Sequence, residues 1–338
     1  MKSTNPDTTV NTIGIIGAGA WGTALALVAR RAGRRAVLWA HEAETVTAIR
    51  GRRENPFLPG VKLDPEIAAT TDMKEAAAAD AILLVPPAQH LRPVATALAP
   101  HVKKNVPIVI CAKGIESKTG ALMSEALAAA MPGARVSILS GPTFAAEVAR
   151  GLPTAVTLAS ADEAAGAGLT AALASRHFRI YRSDDVIGAQ LGGAVKNVIA
   201  IACGVVMGRG LGDNARAALV TRGLAEIARL GRALGARPET IMGLSGLGDL
   251  ALTCTGEQSR NLSLGMALGR GETIADILAK RRSVAEGVAT AGSVVTLAAR
   301  HGVEMPIAAA VDAVANKGAD IDATIAALLA RPSAQEEA

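Results

Sequence analysis

Through the first half of the chain, short apolar runs alternate with stretches of helical spacing. Residues 13–16 (IGII) form a fully apolar run of strand length. A glycine-rich turn follows, and then a helical pattern over 23–31 that Gly33 ends. The runs 36–39 (AVLW), 81–85 (AILLV), 108–111 (IVIC), 137–139 (SIL) and 155–158 (AVTL) continue the series. Runs this short and this apolar suit strands buried on both faces. Alternating with helices, they predict an α/β domain: a doubly wound parallel sheet of Rossmann type. The pattern changes near Asp185, after which long helical stretches take over: 190–207, 215–234, 274–281, 290–301 and 307–315. The expected organisation is a loose tail over 1–11, a dinucleotide-binding domain over 12–186, an all-helical domain over 187–330 and a second loose tail over 331–338.

Composition narrows the function. The chain has 338 residues, enough for two domains, and half of them are hydrophobic. A formal net charge of +5 is mild, and arginine is spread along the sequence, so nucleic acid is not an expected partner. Cys111, Cys203 and Cys254 are odd in number and form no CxxC, which fits a reducing, cytoplasmic setting. The apolar stretch 192–208 is short for a membrane span and is interrupted by Lys196 and Asn197, so a buried helix is expected there. The histidines at 41, 90, 101, 177 and 301 show no ligand spacing, and no metal is expected. The GxSxG, P-loop and HExxH signatures are absent.

Gly17, Gly19 and Gly22 form a GxGxxG between the first apolar run and the first helical pattern. A lone GxGxxG is a weak signal among 35 glycines, but this context is the one a dinucleotide requires. The first glycine makes the turn, the second admits the pyrophosphate and the third lets helix and strand pack closely. An NAD-specific site places an acid after the second strand to take the ribose hydroxyls. Here that position is His41, with Arg50, Arg52 and Arg53 further on. NAD or NADP is therefore expected, with NADP tolerated or even preferred. A His41 that only stacks on adenine or faces solvent fits equally well.

Two lysines stand where solvated lysines are unexpected. Lys113 follows the run 108–111, at the carboxyl end of a strand, where open α/β sheets bind ligands. Lys196 is the lone charge in an apolar helical stretch, with Asn197 beside it. Burial and a second ammonium nearby would both lower its pKa into the range useful for proton transfer. A lysine snorkelling out of a buried helix gives the same pattern, and chemistry alone leaves the two readings equal. A third cluster holds Asp249, Thr253, Ser259, Arg260 and Asn261 after a glycine-rich turn. Such a set suits a phosphate, and it equally suits a polar helix-capping loop.

Longer motifs add a resemblance. GAGAWGTALA at 17–26, AKGIES at 112–117, SGPTFAAEVARGLPTAV at 140–156 and GAVKNVIAIACGV at 193–205 resemble the bacterial NAD(P)-dependent glycerol-3-phosphate dehydrogenases. So do GDNARAALVTRGLAEI at 212–227, GLGDLALTCTGEQSRN at 246–261 and VAEGV at 284–288. The resemblance implies reduction of dihydroxyacetone phosphate to sn-glycerol 3-phosphate for phospholipid synthesis, in the cytoplasm, by a homodimer. It implies that Lys196 is the catalytic proton donor and acceptor. Lys113, Gly141, Thr143, Asp249, Ser259, Arg260 and Asn261 would touch substrate. Ala20, Trp21, His41, Ala145, Val284 and Glu286 would touch the cofactor, and Lys113 and Arg260 would reach both ligands. Ala20 departs from a common serine, and Pro87 from another. Two rivals remain: a related dehydrogenase of a carboxylate-bearing hydroxyacid, and a non-catalytic NADP sensor.

Overall fold

The structure is a computed structural model that describes residues 10–280 and 285–332. Among the described residues eight strands form one sheet: β1 (Thr12–Ile16), β2 (Arg35–Trp39), β3 (Ala68–Thr70), β4 (Ala81–Leu84), β5 (Pro107–Ile110), β6 (Arg135–Ser140), β7 (Thr154–Ser160) and β8 (Phe178–Ser183). Their spatial order is β3-β2-β1-β4-β5-β6-β7-β8. The order reverses beside β1, which creates the crevice in which such sheets bind ligands. All six apolar runs are strands. The sequence did not reveal β3 and β8. The first is three residues long and alanine-rich; the second, FRIYRS, is an edge strand that shows charge to solvent.

One expectation needs correction: the sheet is not wholly parallel, because β7 runs antiparallel to β6. The connection explains this. Its only helix, Ala145–Arg150, has six residues. At about 1.5 Å per residue it spans less than half the length of a six-residue strand. The chain therefore re-enters the sheet at the end where it left.

Side chains of alternate strand residues pack into separate cores on the two faces of the sheet. Ile13, Ile15 and Leu83 lie in one, Ile16, Ile82 and Leu84 in the other. A third core surrounds the helix Val186–Gly208 in the second half. That helix starts before the expected 190 because Asp185 caps it, its carboxylate accepting from the Gly188 amide at 2.8 Å. It is long and apolar enough to cross a membrane by length and composition, yet 83% of its most apolar window is buried in the protein. Gly204 and Gly208 bring it against the helix Arg260–Gly269: a Cβ at either would lie 2.2–2.3 Å from the backbone oxygen of Leu262 or Met266. The other expected helices are present with longer N-terminal ends, as Gly212–Leu234, Glu286–Arg300 and Pro306–Lys317. The expected helix over 274–281 is Ile274–Ala279.

Candidate active site

The glycine loop has the geometry its spacing implied. Gly17 sits at φ +121°, a conformation that favours glycine, and a Cβ there would lie 2.8 Å from the Val85 carbonyl oxygen. A Cβ on Gly22 would lie 1.9 Å from the Gly17 carbonyl oxygen. A Cβ on Gly19 would meet nothing within 4 Å. Gly19 is also the N-cap of the helix Ala20–Arg31, and no side chain caps it. The first-turn amides therefore face open space at the positive end of a helix, which suits a pyrophosphate. Trp21 Nε1 is buried in the same loop and has no hydrogen-bond partner among the described residues. These residues fit a dinucleotide.

His41 is exposed just after β2, its ring centroid 6.2 Å from that of Trp39. Arg50 and Arg53 lie further along, beside β3. Their guanidinium groups donate to the carbonyls of Ala69 at 2.7 Å and Ile67 at 3.5 Å, so both are engaged with the backbone beside β3.

Lys113 follows β5 and Gly141 follows β6, both at carboxyl strand ends that face the helical half. Lys113 Nζ donates to the Gly141 carbonyl at 3.0 Å and lies 3.4 Å from Thr143 Oγ1. It also donates to Asp249 Oδ2 at 2.7 Å. Lys196 Nζ donates to the other oxygen, Asp249 Oδ1, at 2.5 Å and to Thr253 Oγ1 at 2.8 Å. Thr253 in turn donates to the Asp249 carbonyl at 2.6 Å. Asp249 is fully buried, and Lys196 retains only 6% exposure. One carboxylate thus holds two ammonium groups, which leaves the cluster net positive and suited to an anionic ligand.

The local fold makes this possible. A Cβ at Gly192 would lie 2.4 Å from the Ser245 carbonyl, so only glycine lets the 186–208 helix approach the segment leading to Asp249. A Cβ on Gly193 would lie 2.7 Å from Ser140 Oγ and 3.4 Å from the Lys113 stem. Burial pushes the Lys196 ammonium down to about 8; Asp249 pulls it back up, and Lys113 pushes it down. Among the described residues Lys196 makes two of its three possible hydrogen bonds, and its third N–H remains available.

The polar segment 259–261 is partly used by the protein itself. Ser259 caps the helix Arg260–Gly269, its Oγ accepting from the Leu262 amide at 3.2 Å. Asn261 Nδ2 donates to Asn197 Oδ1 at 2.9 Å, and its Oδ1 accepts from the Gly287 amide at 3.1 Å. Arg260 is exposed at the start of its helix, and its charge is felt at Glu286. Glu286 Oε1 accepts from the Ala88 amide at 3.0 Å, joining the helical half to the loop after β4. Burial pushes the Glu286 carboxyl up, against the Ala88 amide and the charges of Arg260, Lys113 and Lys196. Ala145 opens the short helix after β6. Val284 lies outside the described residues.

The sequence named Thr253 only as a cluster member; its i+4 spacing from Asp249 on one helix was the readable sign that both reach the same lysine. The buried, unpartnered hydroxyls of Ser140 and Thr290 gave no such sign.

A sequence model of the NAD-dependent glycerol-3-phosphate dehydrogenase N-terminus matches residues 12–166, and one of the C-terminus of the same enzymes matches residues 185–326. The chain belongs to the NAD-dependent glycerol-3-phosphate dehydrogenase family. Within that family it is 61% identical over 325 residues to the glycerol-3-phosphate dehydrogenase [NAD(P)+] of Rhodospirillum rubrum, covering 96% of this chain and 93% of the relative. The corresponding dehydrogenase of Parvibaculum lavamentivorans is 58% identical, with 96% and 98% covered. The crystal structure of glycerol-3-phosphate dehydrogenase from Coxiella burnetii superposes with a TM-score of 0.92 at 38% identity, covering 96% of this chain and all of that one. The glycine loop and the Lys113–Asp249–Lys196 cluster lie within the residues that the two family models match.

Proposed function

We propose that this member of the family reduces dihydroxyacetone phosphate reversibly to sn-glycerol 3-phosphate, with NADH or NADPH. The observation that carries the reading is Lys196, buried on a carboxylate with a pKa near 8 and one free N–H. A non-catalytic sensor would have no use for such a group. The reading divides the chain into a cofactor half, 12–186, and a substrate half, 187–330. It places the protein in the cytoplasm as a homodimer, supplying sn-glycerol 3-phosphate to phospholipid synthesis.

The reduced nicotinamide, when bound, supplies the hydride to C2 of the substrate. The protein's residues do the rest. Lys196 donates a proton to the C2 oxygen as negative charge develops there, and takes one back in the reverse direction. Asp249 and Thr253 fix two of its N–H directions, so the third is aimed. Lys113 adds positive charge near both ligands. Arg260 reaches the phosphate from the helix start that Ser259 caps, where amides and a positive dipole assist. Asn261 shapes the same pocket from behind. Oxidation of NADH and of NADPH in the presence of dihydroxyacetone phosphate tests the reading. No substrate-dependent loss of absorbance with either cofactor would refute it.

Arg260→Ala is expected to lower kcat/KM for dihydroxyacetone phosphate by about tenfold or more, the worth of a charged hydrogen bond. Arg260→Lys should recover part of the loss, because an ammonium lacks the forked contact. With unphosphorylated dihydroxyacetone, a poor substrate, parent and variant should be equally slow. An equal proportional loss with both substrates would assign Arg260 to the cofactor or the fold.

His41→Asp is expected to weaken NADPH selectively, since a carboxylate there repels a 2′-phosphate and accepts from an unphosphorylated ribose. The readout is the ratio of kcat/KM for the two cofactors. An unchanged ratio removes His41 from the adenosine ribose.

A further inference from the structure

Buried hydrogen bonds, one peptide link and a part-buried hydrogen bond connect the helix of Lys196 to the cofactor half. It begins at Asn197, the residue after Lys196. Asn197 Nδ2 lies 3.5 Å from the Gly193 carbonyl, and its Oδ1 accepts from Asn261 Nδ2 at 2.9 Å. Asn261 Oδ1 accepts from the Gly287 amide at 3.1 Å. Gly287 directly follows Glu286, whose Oε1 accepts from the Ala88 amide at 3.0 Å in the other half. Ala88 opens a short helical turn after the segment Val85-Pro86-Pro87 that follows β4, and the Val85 carbonyl abuts Gly17 of the cofactor loop.

The orientation of both carboxamides is fixed from the backbone. The Gly287 amide can only donate, so Asn261 must show it oxygen and show nitrogen to Asn197. Asn197 must then show oxygen to Asn261, which turns its nitrogen toward the Gly193 carbonyl at 3.5 Å, a group that can only accept. The two requirements agree, and the relay has one consistent arrangement. Asn197 and Asn261 are each more than nine-tenths buried. Among the described residues no side chain at the N-cap of the helix Glu286–Arg300 caps it; Asn261, from another helix, satisfies one of its first-turn amides. A Cβ on Gly287 would lie 2.6 Å from the Asn197 carbonyl and 2.8 Å from Asn261 Oδ1, so the contact tolerates little displacement.

We propose that Asn197 is a positioning residue that couples the two ligands: through Asn261 and Gly287 it ties the substrate segment 259–261 to the grip of Glu286 on the cofactor half. Substrate on Arg260 and Asn261 steadies Asn261, which holds the start of the 286–300 helix and sets Glu286 against Ala88. Bound cofactor orders the Ala88 side of the same contact. Each ligand then binds more tightly when the other is present, by the same factor.

The proposal rests on the substrate assignment above, so the test reads binding, not turnover. NADH is titrated by fluorescence with and without saturating sn-glycerol 3-phosphate, and binding of sn-glycerol 3-phosphate alone is measured by calorimetry. In the parent protein the phosphate ester should tighten NADH by roughly fivefold or more. In Asn197→Leu, isosteric but without hydrogen bonds, the factor should fall below about twofold, under the roughly fivefold at which typical coupling begins. Glu286→Ala, at a partly exposed site, should do the same, and Glu286→Gln, which keeps the acceptor for Ala88, should retain the parent's factor. If Asn197→Leu does not fold, the Glu286 pair decides. Absence of coupling in the parent, or its survival in Asn197→Leu or Glu286→Ala, overturns the relay. Absence of any calorimetric binding of sn-glycerol 3-phosphate overturns the substrate assignment and the relay with it.

Discussion

Replacing Lys196 with alanine should lower kcat by about 10²–10⁴-fold, the usual contribution of a positioned proton donor. The substituted side chain is the one whose free N–H can meet the developing oxyanion. Asp249 keeps Lys113 as a partner at 2.7 Å, so the variant retains one ion pair at the site. Lys196 lies in the helical half, apart from the glycine loop, so NADH affinity should be unchanged. Steady-state rates and an NADH titration on one preparation check both parts. A variant that turns over at near-parental rate would remove Lys196 from the chemistry. One that fails only by losing NADH would move it to the cofactor site.

Asp249→Asn should damage stability as well as activity. In the parent, one buried carboxylate balances two ammonium groups at 2.5 Å and 2.7 Å. Removing one partner of a buried ion pair costs about 3–5 kcal/mol when the remaining charge cannot escape. Lys196 has an escape, because it can lose its proton. The sign follows from the present balance: Asp249 raises the Lys196 pKa, so deleting its charge moves that pKa below 8. The variant should melt at lower temperature, and its reductase activity should fade at a lower pH than the parent's. A pH profile that stayed in place would mean that Asp249 does not hold the proton on Lys196.

Much of this was readable in the sequence, for identifiable reasons. The apolar runs became strands because their burial on both faces leaves no room for polar residues. Gly17 and Gly22 could be read individually because each answers a different steric demand, and the structure shows both, while the space at Gly19 is open. Lys196 stood out because a lone charge in an apolar helix must find a partner. The identity of that partner was less accessible. Asp249 lies 53 residues away in sequence, and only the close approach at Gly192 brings the two together. The direction of β7 was hidden because connection length sets it, not strand composition. The segment 259–261 read both as donors for a phosphate and as a helix-capping loop, and Ser259 and Asn261 do cap two helices. Local sequence cannot tell a side chain that faces a ligand from one that faces a backbone amide. Arg50 and Arg53 illustrate the same limit, drawn to the backbone beside β3, a strand too short to announce itself.

The central claim is that Lys196 carries the proton for hydride transfer, and the pH dependence of kcat/KM in both directions tests it most directly. This parameter reports ionisations of the free enzyme, in which Lys196 titrates near 8. Reduction of dihydroxyacetone phosphate needs the protonated lysine, so its kcat/KM should fall as pH rises through about 8. Oxidation of sn-glycerol 3-phosphate needs the neutral lysine, so its kcat/KM should rise through the same pH. Two opposed curves breaking together near 8 are the predicted result. Curves that are flat between pH 7 and 9, or that break in the same direction, would contradict it.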